Sequence, residues 1–409
     1  MVPRLPSRSL GHLLCLITAA SLTAACGLSP SGGRTSAGGW SKSPAPPPAP
    51  APSDSSAAPA SPSPSVEEAK VAAALAAMTL EERAGQLVMV PITPGDSAAQ
   101  VAETVRKRSI GTVLFLGNGW NSATQVSGAA EQLRQAAGSV QLWLAADQEG
   151  GVVQRLSGEG FSAIPSAVEQ GRMNVDDLSA SAARWGRQLA AAGVNLNLAP
   201  VVDTVDASAR ASNAPIGALS RDFGLDASGN AAHARAFVEG MAAGGVGSAV
   251  KHFPGLGRIT GNTDFDTEGV VDETTTTDDP AVEAFGDVLS ADPTMVMVAV
   301  ATYAQIDPTT PAAFSSTVIS DLLRGQLGWN GVVVSDSLTA AAVSHIPAAD
   351  RAVRLLEAGG DLACLGSLAD AEAALDGIVA QAGKDAKFAA LVDAAATRVL
   401  TAKLRAGLL

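Results

Sequence analysis

The chain has 409 residues, 47% hydrophobic and 16% charged, and a formal net charge of −13. That length supplies one large barrel-sized domain with extensions rather than a single small domain. Without a basic stripe to neutralise phosphates, a nucleic-acid partner is excluded.

At the start, Arg4 and Arg8 precede the apolar stretch from Leu10 to Ala25. Charge followed by a short apolar run is the layout of a secretory signal peptide, here residues 1–25, and the run is short of the ~20 residues a membrane span needs. Ala24-Ala25-Cys26-Gly27 closes it and resembles a bacterial lipoprotein processing site, with Thr23 where such sites usually carry a branched apolar residue. Cys26 is therefore the expected lipidation site. Residues 26–65 are dominated by Ser, Gly, Ala and Pro. Such a segment has nothing to bury, and its prolines make it a semi-rigid spacer. The expectation is an exported lipoprotein on the extracytoplasmic side, held to a membrane by its N-terminal lipid, or a secreted protein if Cys26 is not acylated.

Residues 66–409 have a different texture. Thr79-Leu80-Glu81-Glu82 has the form of a capping box. Short apolar runs follow at Gln86–Ile92, Gly111–Leu116, Leu142–Ala146, Val194–Leu198, Val246–Val250, Met295–Ala301, Gly331–Ser335 and Asp361–Leu365. Continuous apolar runs suit parallel strands buried on both faces. Between them, Thr124–Ala137, Val175–Ala192, Ala227–Ala243 and Ala348–Ala358 have helical spacing, much alanine and a glycine just past the end. Lys387–Lys403 is a closing helix. Eight strand–helix units predict a (β/α)8 barrel of the TIM type. An open doubly wound sheet fits the alternation too, but no G-x-G-x-x-G follows the first strand. Of Cys15, Cys26 and Cys364, only Cys364 falls in this domain, so no disulfide is available within it, and Cys364 reads as a small buried hydrophobe.

In a barrel, chemistry sits at the C-terminal strand ends. Strand three ends in Asp147-Gln148-Glu149-Gly150-Gly151, strand four in Asn197 with Asp203 shortly after, strand five in Lys251-His252, and strand seven in Ser335-Asp336-Ser337. Each has a bland explanation: Asp147 as a loop carboxylate, Asp203 as the cap of a following turn, Lys251 and Asp336 as a buried ion pair. Four polar clusters at one end of such apolar strands point instead to a shared site.

These clusters carry a resemblance. KHFPGLG from Lys251 resembles the KHFPGHG signature of glycoside hydrolase family 3, in its single-domain β-N-acetylhexosaminidase branch. MTLEERAGQL from Met78, DQEGGVVQRL from Asp147, NLAPVVD ending at Asp203, SRDFG from Ser220 and VVVSDSL from Val332 resemble further family segments in family order. The resemblance implies that Asp336 is the catalytic nucleophile and that Asp147, Arg221, Lys251 and His252 bind the sugar. It implies a retaining exo-glycosidase that removes terminal β-linked N-acetylglucosamine from cell-wall-type glycans through a covalent glycosyl-enzyme. No cofactor and no metal are implied, the partner is a carbohydrate, and a monomer is expected.

One departure bears on the chemistry. The branch uses an Asp-x-His dyad as acid/base, and counting on from Lys251 places Asn262-Thr263-Asp264 there. Asp264 is then the expected acid/base, with Asp266 and Glu268 as alternatives. If none serves, the chain is a surface-anchored carbohydrate-binding protein with weakened turnover. His233 reads as a packing residue of a helix, and His345 follows the seventh strand. Leu256 replaces the second histidine of KHFPGHG and Val152 the arginine of GGRVQ. Both changes remove polar groups near the site, which leaves a hydrolase of another β-glycoside as a further alternative.

Overall fold

Eight short strands line up in parallel in a computed structural model that describes residues 65–409. The signal segment, Cys26 and the spacer lie outside the described residues. The strands are β1 (Val88–Ile92), β2 (Thr112–Phe115), β3 (Trp143–Ala146), β4 (Leu196–Asn197), β5 (Gly247–Phe253), β6 (Met295–Val298), β7 (Val332–Ser335) and β8 (Ala363–Cys364). Their hydrogen-bonded order runs β7-β6-β5-β4-β3-β2-β1-β8. A parallel bridge between Val334 and Leu362 brings β7 against the eighth strand and closes the circle. The expected (β/α)8 barrel is the observed one. Nearly every strand residue is buried, because helices cover the outside and side chains fill the inside.

A helix follows each strand. They are α3 (Ala98–Arg108), α4 (Ala123–Ala136), α5 (Val175–Ala191), α6 (Ala227–Ala243), α7 (Pro280–Leu289), a π-wound segment over Thr317–Gln326, α8 (Ala348–Glu357) and α9 (Leu368–Ala382). The long α10 (Ala386–Arg405) then packs across the bottom of the barrel, joined by α1 (Val66–Ala77) and α2 (Leu80–Gly85). The capping box expected at Thr79 is formed, with both reciprocal bonds to Glu82. Ser65 and Glu68 make the same motif at the start of α1. Amphipathicity sets the packing: α8 buries Arg351, Ala352, Leu355 and Leu356 and turns its other face outward. Among the described residues no helix is long and apolar enough to cross a membrane.

Candidate active site

The C-terminal strand ends open onto a cavity of about 450 Å³. Asp147, Arg221, Lys251, His252, Asp264 and Asp336 all line it. The six residues singled out for chemistry are therefore gathered in one place from five βα loops or strand ends. A larger cavity, about 670 Å³, lies at the other end, among strand starts such as Gly247, Thr294 and Gly331. Size does not pick the site here; the titratable groups do.

Lys251 is almost fully buried at the end of β5. Its ammonium donates to Asp147 Oδ1 at 2.7 Å and lies 2.6 Å from Glu149 Oε1. The ion pair of Lys251 with Asp336, the bland explanation of both residues, is therefore not made. Two carboxylates that leave β3 take the charge instead, because that strand is a near neighbour of β5 across the barrel mouth. Glu149, not singled out from sequence, is the hub of the network. Arg221 donates to both of its oxygens, Nε at 2.9 Å and Nη2 at 2.8 Å. Burial works to raise the Glu149 pKa, but Arg221 and Lys251 outweigh it and hold the carboxyl well below the usual range. In the same network burial opposes the charge of Lys251, and Asp147 and Glu149 overcome it, so its pKa is raised. An ammonium has three N–H donors, so two acceptors leave one for a ligand. The signal for Glu149 was the DQEGG run itself, whose glycine Gly150 has φ of 110° and would put a Cβ 2.2 Å from Pro165 O.

Asp203 corrects a second expectation. It does not cap a turn. It is buried and accepts from the backbone N–H of His252 at 3.0 Å and of Leu256 at 3.1 Å, while His252 Nδ1 stands 2.7 Å from its other oxygen. Arg221 Nη2 approaches His252 Nε2 at 3.5 Å. A donor on that side and a carboxylate on the other place the imidazole proton on Nδ1. Asp203 thus orients His252 and ties down the turn of the KHFPGLG segment. Gly257 closes that turn so tightly that a Cβ would sit 1.8 Å from Thr204 O.

Asp336 directly follows β7. Its backbone N–H donates to Val298 O at 2.7 Å, and its Oδ1 accepts from Ser337 N–H at 2.7 Å. Among the described residues the second carboxylate oxygen has no hydrogen-bond partner, and Asp336 lines the cavity. Asp264 reaches the same cavity from the loop after β5. Asn262, at the position of the missing dyad aspartate, builds the turn that presents it. Its Oδ1 accepts from Asp264 N–H at 3.1 Å and its carbonyl from Phe265 and Asp266 N–H groups at 3.0 and 2.8 Å. The loop is then stitched to the segment after β7: Ala342 N–H donates to Thr263 O and Ala341 N–H to Asp264 O, at 3.1 and 3.2 Å. Asp264 and Asp336 are therefore held in one frame. Partial burial, and next the facing charge of Asp336, raise the Asp264 pKa above the ordinary aspartate value, while Arg221 and His252 pull the other way. Asp266 turns back to accept from Asn262 N–H at 2.7 Å, and neither it nor Glu268 lines the cavity.

Arg155 was also missed in the sequence. It lines the cavity, donates from Nη1 to Asn118 at 2.9 Å, and keeps a buried Nε without a partner. Its signal was the QRL end of DQEGGVVQRL. Leu256 is buried and lines the cavity, whereas Val152 is exposed and does not line it, so the Val152 change does not alter the pocket wall. His233 is a packing residue, bonded to Gly229 O and Met173 O. His345 is exposed and away from the cavity. Cys364 lies at the cavity floor, where burial pushes its thiol well up. Among the described residues no group of three or more His, Cys, Asp or Glu side chains is placed to hold a metal.

The sequence profile of the glycosyl hydrolase family 3 N terminal domain matches residues 79–402. A beta-hexosaminidase of Xylella fastidiosa is 33% identical over 316 residues, covering 75% of this chain and 90% of that protein. Among solved structures, a beta-N-acetylhexosaminidase from Beutenbergia cavernae superposes with a TM-score of 0.76 at 46% identity, over 80% of this chain and 98% of that one. A glycoside hydrolase family 3 beta-N-acetylglucosaminidase from a Paenibacillus species gives 0.72 at 27% identity, over 81% and 63% of the two chains.

Proposed function

The chain belongs to glycosyl hydrolase family 3 and is an O-glycosyl hydrolase, and on that premise we propose a retaining exo-glycosidase that removes terminal β-linked N-acetylglucosamine with Asp336 as nucleophile and Asp264 as acid/base. The observation that carries the assignment is the pairing of the two carboxylates. One has an oxygen held by the Ser337 N–H and the other oxygen unbonded, and the second carboxylate has a raised pKa and is anchored to the same loop.

The chemistry follows from that difference in environment. Asp336 attacks the anomeric carbon while Asp264 gives its proton to the departing glycosidic oxygen, and the carbon–oxygen bond breaks. Forming the ester neutralises Asp336. The charge that had helped to raise the Asp264 pKa disappears, so Asp264 becomes a carboxylate and accepts a proton from water. That water attacks the anomeric carbon and releases Asp336. The spare N–H of Lys251, the free oxygen of Asp147 and the edge of His252 supply hydroxyl contacts. Arg221 acts mainly through Glu149, because three of its five donors are spent on Glu149 and Pro215 O.

We further place the enzyme at an extracytoplasmic membrane face through Cys26, as a monomer, on the sequence layout alone. The test is release of p-nitrophenol from its β-N-acetylglucosaminide by wild type, Asp336→Ala and Asp264→Ala. Activity lost in the first and strongly reduced in the second is expected. Wild type that binds N-acetylglucosamine without turnover would leave a sugar-binding lipoprotein.

A further inference from the structure

Of the nine phenylalanines, eight are no more than 8% exposed, and so are every described tryptophan and the tyrosine. Phe265 is 79% exposed. It directly follows Asp264 and lines the catalytic cavity at its rim, with the partly exposed Leu219 among the same lining residues. A single exposed apolar residue on a surface needs no explanation, but this one stands beside the group that protonates the leaving oxygen.

Its backbone is also fixed. Phe265 N–H donates to Asn262 O, the residue before it is held through Asp264 O by Ala341 N–H, and the residue after it bonds back to Asn262 through both its N–H and its carboxylate. An aromatic face kept in water by a braced turn has forgone burial, and it is preorganised for a ligand.

Resting on the hydrolase reading above, we propose that Phe265 is the platform of the leaving-group subsite and selects substrates whose leaving group is itself a pyranose. The reasoning is geometric. Asp264 must lie within hydrogen-bond reach of the glycosidic oxygen, so the ring attached to that oxygen lies against the next residue of the same turn. A pyranose presents a face of C–H groups, and an aromatic ring offers a flat, electron-rich surface to it. Energy gained there is gained from a part of the substrate that does not react, and it is available to position the glycosidic oxygen for protonation.

The experiment compares two substrates with the full chain. One is the β-linked dimer of N-acetylglucosamine, whose leaving group is a sugar. The other is the trifluoroethyl β-N-acetylglucosaminide, whose leaving group has a similar acidity and no ring. Phe265→Ala is expected to lower the ratio of kcat/KM for the disaccharide to that for the trifluoroethyl glycoside about tenfold. Phe265→Trp should restore the ratio, and Phe265→Leu, apolar but without a flat face, should not. A ratio unmoved in Phe265→Ala, or restored by leucine, overturns the platform. Failure of wild type to hydrolyse either substrate would instead sink the hydrolase reading, and the platform with it.

Discussion

Two lysines are fully buried in this barrel, at opposite ends, and they are kept by opposite means. Lys251, at the C-terminal mouth, lies between Asp147 and Glu149 with one donor left over. Lys403, on α10 at the bottom, donates to Gln86 Oε1, Gly111 O and Gln141 O at 2.7, 2.9 and 2.9 Å, and stands 5.5 Å from the centre of the Trp143 ring. The mouth answers charge with charge and keeps unspent hydrogen-bonding capacity facing a cavity. The bottom answers charge with neutral carbonyls and leaves nothing to offer a ligand. A barrel separates its duties this way because loops at one end can vary while the strand starts must hold the closure.

Two aspartates give the sharpest way to break that comparison. Asp336 at the mouth has one bonded oxygen and one free. Asp361, just before β8, is fully buried and saturated by Arg324, Arg398 and the Val333 N–H. Asp336→Asn is expected to lower kcat on the order of 10⁴-fold or more with the melting temperature unchanged or slightly raised. Asp361→Asn leaves two guanidinium groups without their shared counter-charge, at a cost of roughly 3–5 kcal/mol. It should lower the melting temperature by several degrees while the folded fraction keeps wild-type kcat. Thermal unfolding and active-site-normalised turnover on the same samples separate the two, and a variant that moved the other variant's observable would erase the division of duties.

A second test sharpens the mouth alone. Asp264 must be protonated to act as an acid, and its pKa is raised. kcat/KM on the disaccharide should therefore fall as pH rises through that raised value, giving an alkaline limb above the ordinary aspartate range. Asp264→Asn should cost about 10²–10⁴-fold and remove the limb. A limb that survives the substitution assigns the proton to another group.

How much of this was legible depends on whether a feature is local or convergent. The strands were readable because burial on both faces forces unbroken apolar runs such as VVVS and MVMV. The nucleophile candidate and the loop carboxylate were readable because motifs fix their spacing. Pairings were not. Lys251 with Glu149 and Asp203 with His252 join different strands, and chain order does not say which strand end faces which. The π-wound crossover at Thr317–Gln326 has no signature in composition. Phe265 was invisible for a different reason: its meaning is its exposure, and a sequence does not display exposure.

The smallest expected effect comes from the bottom and depends on pH. Burial lowers the Lys403 pKa from 10.5 to about 7. Below that value folded and unfolded chains both hold the proton, and the folded state bears the whole cost of a buried charge. Between about 7 and 10.5 the unfolded chain binds more protons, so stability contributed by this side chain rises with pH. Lys403→Met cannot titrate and removes the donor to Gln86 Oε1, Gln141 O and Gly111 O, of which Gly111 O keeps the Trp143 N–H, a loss of about 2 kcal/mol. The gap between wild type and Lys403→Met should widen by roughly 2–3 kcal/mol between about pH 6 and about pH 9, at about 1.4 kcal/mol per pH unit above the shifted pKa. Denaturant titrations at both pH values measure it. A gap that stays flat would mean that the carbonyl cage and the Trp143 face keep the ammonium charged across the range, and neutral acceptors would then rival the carboxylates of the mouth as a way to bury a lysine.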